Sequence, residues 1–215
     1  MTSEYWDEDI NNVWETFFKW NNKEILLTDW LYKSVLPRPR DMIRFIQDAI
    51  EIAINREHTE IHEDDLDCAL NSYSAFALNQ IVAEYKAEEP WIEDFSNSLT
   101  GEKSILPYTS LITKIKQNGT ELLELQQIIN RIITLISINF LGVKLNGSPI
   151  NYANNIQESN KLKSIIRNTA LSNQVQFVIH PVFYRHLNIR KEDDREKFSF
   201  MKLLKVLKLT SGSKN

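Results

Sequence analysis

Apolar side chains recur at helical spacing through most of the first hundred residues. Trp6, Ile10, Val13, Trp14, Phe17 and Phe18 stand three or four positions apart, and such a stripe predicts an amphipathic helix that buries one face. A second helical stretch, Glu24 to Leu36, carries Ile25, Leu26, Trp30, Leu31 and Val35 on its expected inner side. Two prolines at 37 and 39 stop that helix, and Pro39 suits the first turn of the next. The next helix is predicted over 40–56, through Met42, Ile43, Phe45, Ile46, Ile50, Ile52 and Ala53. A loop over 57–62 leads to Glu63, Asp64 and Asp65, acids that favour a helix N-terminus. The helix they open is expected to reach about Ala87, and a shorter segment follows from Glu89-Pro90-Trp91 to near Gly101.

The pattern then changes. Tyr108 to Gln117 reads as a short helix stopped by Asn118-Gly119, and Thr120 reads as the N-cap of a helix from Glu121 to about Ser137. Strand-like pieces follow at Phe140 to Leu145, Leu162 to Ala170 and Val175 to Ile179, with turns at Asn146-Gly147 and Leu171-Ser172-Asn173. His180-Pro181 opens a short helix through Phe183 and Leu187. The tail alternates Lys202, Lys205 and Lys208 with Phe198, Phe200, Leu203, Leu204, Val206 and Leu207. The expected fold class is mainly α: a helical bundle followed by a winged-helix-like α+β domain with a small β-sheet.

Charge sharpens this division. The net charge of the 215 residues is −4. Residues 1–100 hold 8 Lys and Arg against 21 Asp and Glu, and residues 101–215 hold 17 against 8. Two domains are therefore expected, an acidic helical one over 1–100 and a basic one over 101–215 with a Lys-rich tail. Phosphates would be drawn to the second and repelled by the first; alternatively the halves attract each other and need no partner. No apolar run reaches the length of a membrane span, and acidic Met1 to Asp9 lacks the form of a secretory signal. The expectation is a soluble, cytoplasmic protein without a membrane partner.

Candidate chemistry is sparse. Neither G-x-x-x-x-G-K-[ST] nor G-x-G-x-x-G occurs, and the five glycines stand apart, so no known loop is present to cradle a triphosphate. The chain is not expected to be an enzyme. The lone Cys68 excludes a disulfide framework and reads as a buried, inert thiol. His58 and His62 stand four apart, but the order is not H-E-x-x-H, a third ligand would have to be Glu63 or Asp64, and a solvated loop is preferred to a metal site. His180 and His186 flank Tyr184 with no nucleophile indicated, which suits a core or capping role. Arg38 and Arg40, at a proline-set helix entrance, form a pair suited to bidentate anion binding or to a neighbouring acid. Lys114, Lys116, Arg131, Lys161, Lys163, Arg167 and Arg185 are the candidates for a nucleic-acid face, against a reading as solvated surface. Trp6, Trp14 and Trp20 exceed what a small helical core needs and are candidates for a protein interface.

Several of these residues carry a resemblance. Arg38-Pro39-Arg40-Asp41, Ile61-His62-Glu63-Asp64-Asp65, Ala69, Tyr73-Ser74, Glu84-Tyr85 and Ile179-His180-Pro181-Val182-Phe183 occur in this order. Together they resemble the region that follows the nucleotide-binding core in large bacterial P-loop ATPases related to the AAA+ and STAND classes, over about residues 24 to 190. The resemblance implies a helical lid followed by a winged helix. It also implies that Arg40 or Arg38 senses the γ-phosphate of ATP. The core is missing from this sequence, so ATP is a cofactor only if the chain joins a P-loop core. The expected function is a non-catalytic regulatory and recognition module whose winged helix holds nucleic acid or a partner protein. The alternative is an interaction adaptor that docks or self-associates through its tryptophan-rich N-terminus.

Overall fold

Pro39 occupies the first turn of a 17-residue helix and Arg38 its N-cap, as the fixed φ of proline favours. The computed structural model describes residues 16–21, 25–118, 123–145, 148–169 and 175–191. Trp6, Ile10, Val13 and Trp14 lie outside the described residues, as do Thr120, the turns at 146–147 and 171–173, and the Lys-rich tail from Phe198. The chain divides into two compact units, one of residues 1–90 with 181–186 and one of residues 91–180 with 187–215.

The first unit contains α1 (Leu27–Ser34), α2 (Pro39–Asn55) and α3 (Glu63–Tyr85), with a parallel two-residue pairing of β1 (Phe18–Lys19) and β2 (Ile61–His62). Ala69, Tyr73, Ala77 and Ile81 of α3 are spaced four apart and fully buried. The two alanines leave room for α2, whose Phe45 meets Tyr73 edge-on at 5.6 Å between ring centres. Val182 and Phe183, in a 3-10 turn over Pro181–Phe183, are buried. That segment is tied to α3 by the His186 N–H, which donates to Ser74 Oγ at 3.0 Å, and by Arg185, which reaches Asp67 and Asn71.

The second unit runs α4 (Trp91–Asn97), β3 (Ile105–Pro107), α5 (Tyr108–Gln117), α6 (Leu125–Ser137), β4 (Leu141–Leu145), α7 (Ile156–Thr169) and β5 (Val175–Ile179). Its antiparallel sheet has the order β3-β5-β4, with Phe177 opposite Leu106 on one side and Val143 on the other. Phe95, Leu99, Leu111, Ile132, Phe140, Ile166 and Phe177 form its buried centre. The fold is mainly helical with small sheets, as the pattern predicts.

Four local expectations need correction. Residues 162–170 were expected as a strand, but residues through Thr169 belong to α7, where Leu162 and Ile166 are buried one turn apart and Lys161 and Arg167 are exposed. The Asn155 side chain accepts the Glu158 N–H at 2.9 Å and starts that helix. Leu26, expected inside, is exposed, and its neighbour Leu27 is buried instead. Phe18 pairs in β1 rather than continuing a helix. The N-cap of α6 is Glu124, whose N–H donates to the Gln127 side chain at 2.8 Å. Among the described residues, no helix is long and apolar enough to cross a membrane.

Candidate functional site

Arg38 and Arg40 leave the start of α2 and converge on one carboxylate. Glu84, in the last turn of α3, accepts Arg38 Nη1 at 2.9 Å and Arg40 Nη2 at 2.6 Å. Burial alone would raise the Glu84 pKa, but the bonds from Arg40 and Arg38 outweigh it and hold the group below its ordinary value. Beneath this fork, the buried Tyr73 hydroxyl donates to Asp41 Oδ1 at 3.1 Å and accepts the Leu36 N–H at 3.2 Å. Burial pushes the Tyr73 pKa up. The arginine pair is thus preassembled, and an outside anion would have to take the place of Glu84.

A second cluster stands at the other end of α2. The chain leaves the helix through Glu57 in the left-handed region, with φ 59°, and the His58 N–H returns to Ala53 O at 3.0 Å. This turn brings Arg56 and His58 onto the first turn of α3. Asp65 is fully buried and satisfied on both oxygens: Oδ1 accepts Arg56 Nη1 at 2.8 Å, and Oδ2 accepts His58 Nδ1 at 2.8 Å and the His62 N–H at 2.9 Å. Burial would raise its pKa, but the bonds from His58, the His62 backbone and Arg56 prevail and lower it. Arg56 also donates to Asp64 Oδ2 and Cys68 Sγ, each at 3.0 Å. The His58 and His62 rings stack with centres 4.1 Å apart. His58, His62 and Cys68 are half-buried members of one network, so the histidines do not lie in a solvated loop and the thiol is not fully buried.

Between these clusters, α2 turns an apolar face outward. Ile43, Ile50 and Ile54 are 59%, 42% and 67% exposed, at spacings that put them on one side of the helix. Phe17, Phe18, Ile46, Ile50, Ile54 and Ile61 help line a cavity of about 410 Å³ there. Exposed Glu51, Glu57 and Glu60 lie in the same stretch.

The seven basic candidates are not gathered into one free face. Lys114 pairs with Glu102 at 2.8 Å and donates to Ser98 O at 2.9 Å. The Arg131 guanidinium lies 4.7 Å from the Trp91 ring centre and donates to Ile115 O. Arg185 belongs to the first unit and is held by Asp67 and Asn71. Lys116, Lys161 and Arg167 are exposed and Lys163 is half-buried. Trp20 is half-buried, with Nε1 donating to Ile25 O at 2.7 Å and its ring 5.4 Å from Trp30.

Sequence reasoning passed over two features of this site. Ile43 and Ile50 look like core residues in a helical stripe, and only their excess over a single buried face hints at a second apolar side. Asp65 looks like one helix-start acid among three. Its spacing of three from His62, the capping distance, is the signal that marks it.

No curated protein and no solved structure matches the chain. Residues 2–82, which include α1, α2, most of α3 and the cluster around Asp65, match the family model of the FunZ-associated C-terminal helical domain, and this stretch is similar to such a domain.

Proposed function

We propose that the chain is a non-catalytic regulatory and recognition module that works with a P-loop ATPase core. In this reading the 1–90 unit is a lid-like element that docks on the core through the outward face of α2. The observation that carries it is the exposed row of Ile43, Ile50 and Ile54 beside an apolar cavity. Contiguous apolar surface of this kind marks contact sites on proteins. The acidic balance of residues 1–100 favours a partner surface with a basic rim. The similarity of residues 2–82 to a domain described as C-terminal fits a module that follows something else. Arg38 and Arg40 suit the sensor role because both guanidiniums already point at one anion, Glu84. A γ-phosphate supplied by the core would replace that carboxylate and loosen the start of α2 from the end of α3.

The test is photo-crosslinking in cells with benzoylphenylalanine in place of Ile50 in the full chain. The expected adduct is a peptide from a protein carrying G-x-x-x-x-G-K-[ST]. An adduct only with a second copy of this chain would replace the reading with a self-associating adaptor, and no adduct would remove docking through this face.

A second reading concerns the other unit. Its chain order β3, α5, α6, β4, β5 and its sheet order β3-β5-β4 fit a winged-helix reading, with α7 inserted between the last two strands. This supports nucleic acid as a ligand. The outer face of α6 presents Gln126 and Asn130, bonded to each other at 3.1 Å, and its only cation is the stacked Arg131. That face favours the protein partner.

A further inference from the structure

We propose that His58, His62 and Asp64 form a binding site for a divalent transition metal of the zinc class, with Asp65 as the residue that positions His58. One ligand atom from each of His58, His62, Asp64 and Asp65 lies within 4.8 Å of all the others. Two imidazoles and a carboxylate are the donor set of Zn²⁺, Co²⁺ or Ni²⁺ rather than of Mg²⁺ or Ca²⁺.

The tautomer of His58 decides how the set works. Asp65 takes bonds from Arg56, His58 and the His62 N–H, so it is an acceptor throughout and His58 Nδ1 carries the proton. Nε2 of a neutral His58 then keeps its lone pair for a metal. A carboxylate bonded to the far nitrogen of a ligating histidine fixes its orientation and raises its basicity. Asp65 is buried and fully engaged, so it serves behind the site and not in it. Asp64 is different. Its side chain is 68% exposed and bonded through Oδ2 to Arg56, so a metal would have to draw it from that exposed ion pair.

Ligand atoms around tetrahedral zinc lie about 3.3 Å apart, given bonds of about 2.0–2.1 Å. Coordination through His58 Nε2 requires Asp64 and His62 to rotate until their ligand atoms come that close to it. The backbone is already set by the turn at Glu57 and by the His62 N–H bond to Asp65. A dication would draw Asp64 away from Arg56 and leave the guanidinium on Asp65. Three protein ligands leave at least one position for water. The bound ion would tie the turn after α2 to the first turn of α3, next to the cavity that His58 also lines.

The experiment titrates the chelator-treated full chain with Co²⁺, followed by visible d–d absorption, and then displaces it with Zn²⁺. The expected result is one saturable Co²⁺ per chain, displaced by one equivalent of Zn²⁺. His62→Ala and Asp64→Asn should each weaken binding at least tenfold, and Asp65→Asn by about 10–100-fold. His186→Gln, at the exposed histidine in the segment against α3, should bind like wild type. Equal affinity of wild type and His62→Ala would overturn the site, and so would absence of saturable binding at millimolar metal. Should Asp65→Asn fail to fold, as circular dichroism would reveal, the His62 and Asp64 variants still decide.

Discussion

His180 shows how one residue makes stability depend on pH. It follows β5, its N–H donates to Phe140 O at 3.0 Å, and Tyr152 meets it edge-on at 4.7 Å. Tyr152 also crowds Gly142, where an added Cβ would come within 2.5 Å of the ring, so that position of β4 requires glycine. Burial pushes the His180 pKa down from 6.5 to about 3. The unfolded chain therefore binds a proton that the folded chain refuses, and stability falls as pH drops below about 6.5 and continues to fall towards about 3. Each pH unit in that window costs about 1.4 kcal/mol. Urea unfolding at pH 7 and pH 5 should show wild type losing about 2 kcal/mol more than His180→Gln. Equal losses would mean that His180 is protonated in the folded state.

The two faces of α2 make separable demands. Phe45 is fully buried against Tyr73, and Phe45→Ala should cost about 3–5 kcal/mol in chemical denaturation. Ile54 is mostly exposed, and Ile54→Ser should change stability by no more than about 0.5 kcal/mol while reducing the crosslinking of a probe at Ile50. A large loss of stability in Ile54→Ser would place that side chain in the core. The stripe through Met42, Ile43, Phe45, Ile46 and Ile50 made the helix legible in the sequence. Which apolar residues face in was not, because the apolar positions, from Ile52 round to Ile54, cover more than half of the helix and the period alone cannot rank them. The same weakness made residues 162–170 look like a strand, since Leu162, Ile165 and Ile166 suit either period and the Asn155 cap lies seven residues upstream. β2, only two residues long, left no run to detect. The arginine fork was legible as a pair, but its partner Glu84 is 46 residues from Arg38, and only folding brings them together.

At the scale of the molecule, the charge contrast between the two halves is the property most easily measured. Lys114 and Arg131 are occupied within the second unit, which leaves Lys116, Lys161, Lys163 and Arg167 of the candidates there for a nucleic-acid contact. If duplex DNA binds the full chain, the slope of log affinity against log salt should be about −0.9 for each phosphate neutralised. Lys161→Gln with Arg167→Gln should then flatten that slope by about 1.8. An unchanged slope would remove both residues from the interface, and no binding at low salt would leave the charge contrast to the protein partner.

The covalent path also crosses between the units three times, after residues 90, 180 and 186. Val182 and Phe183 thus complete a hydrophobic core whose other members were all encoded ninety or more residues earlier. On a ribosome the first unit would wait, unfinished, while the second was made. In evolution it would be hard to lift out by a single cut, since a gene fragment ending at residue 90 would lack the two side chains that close it.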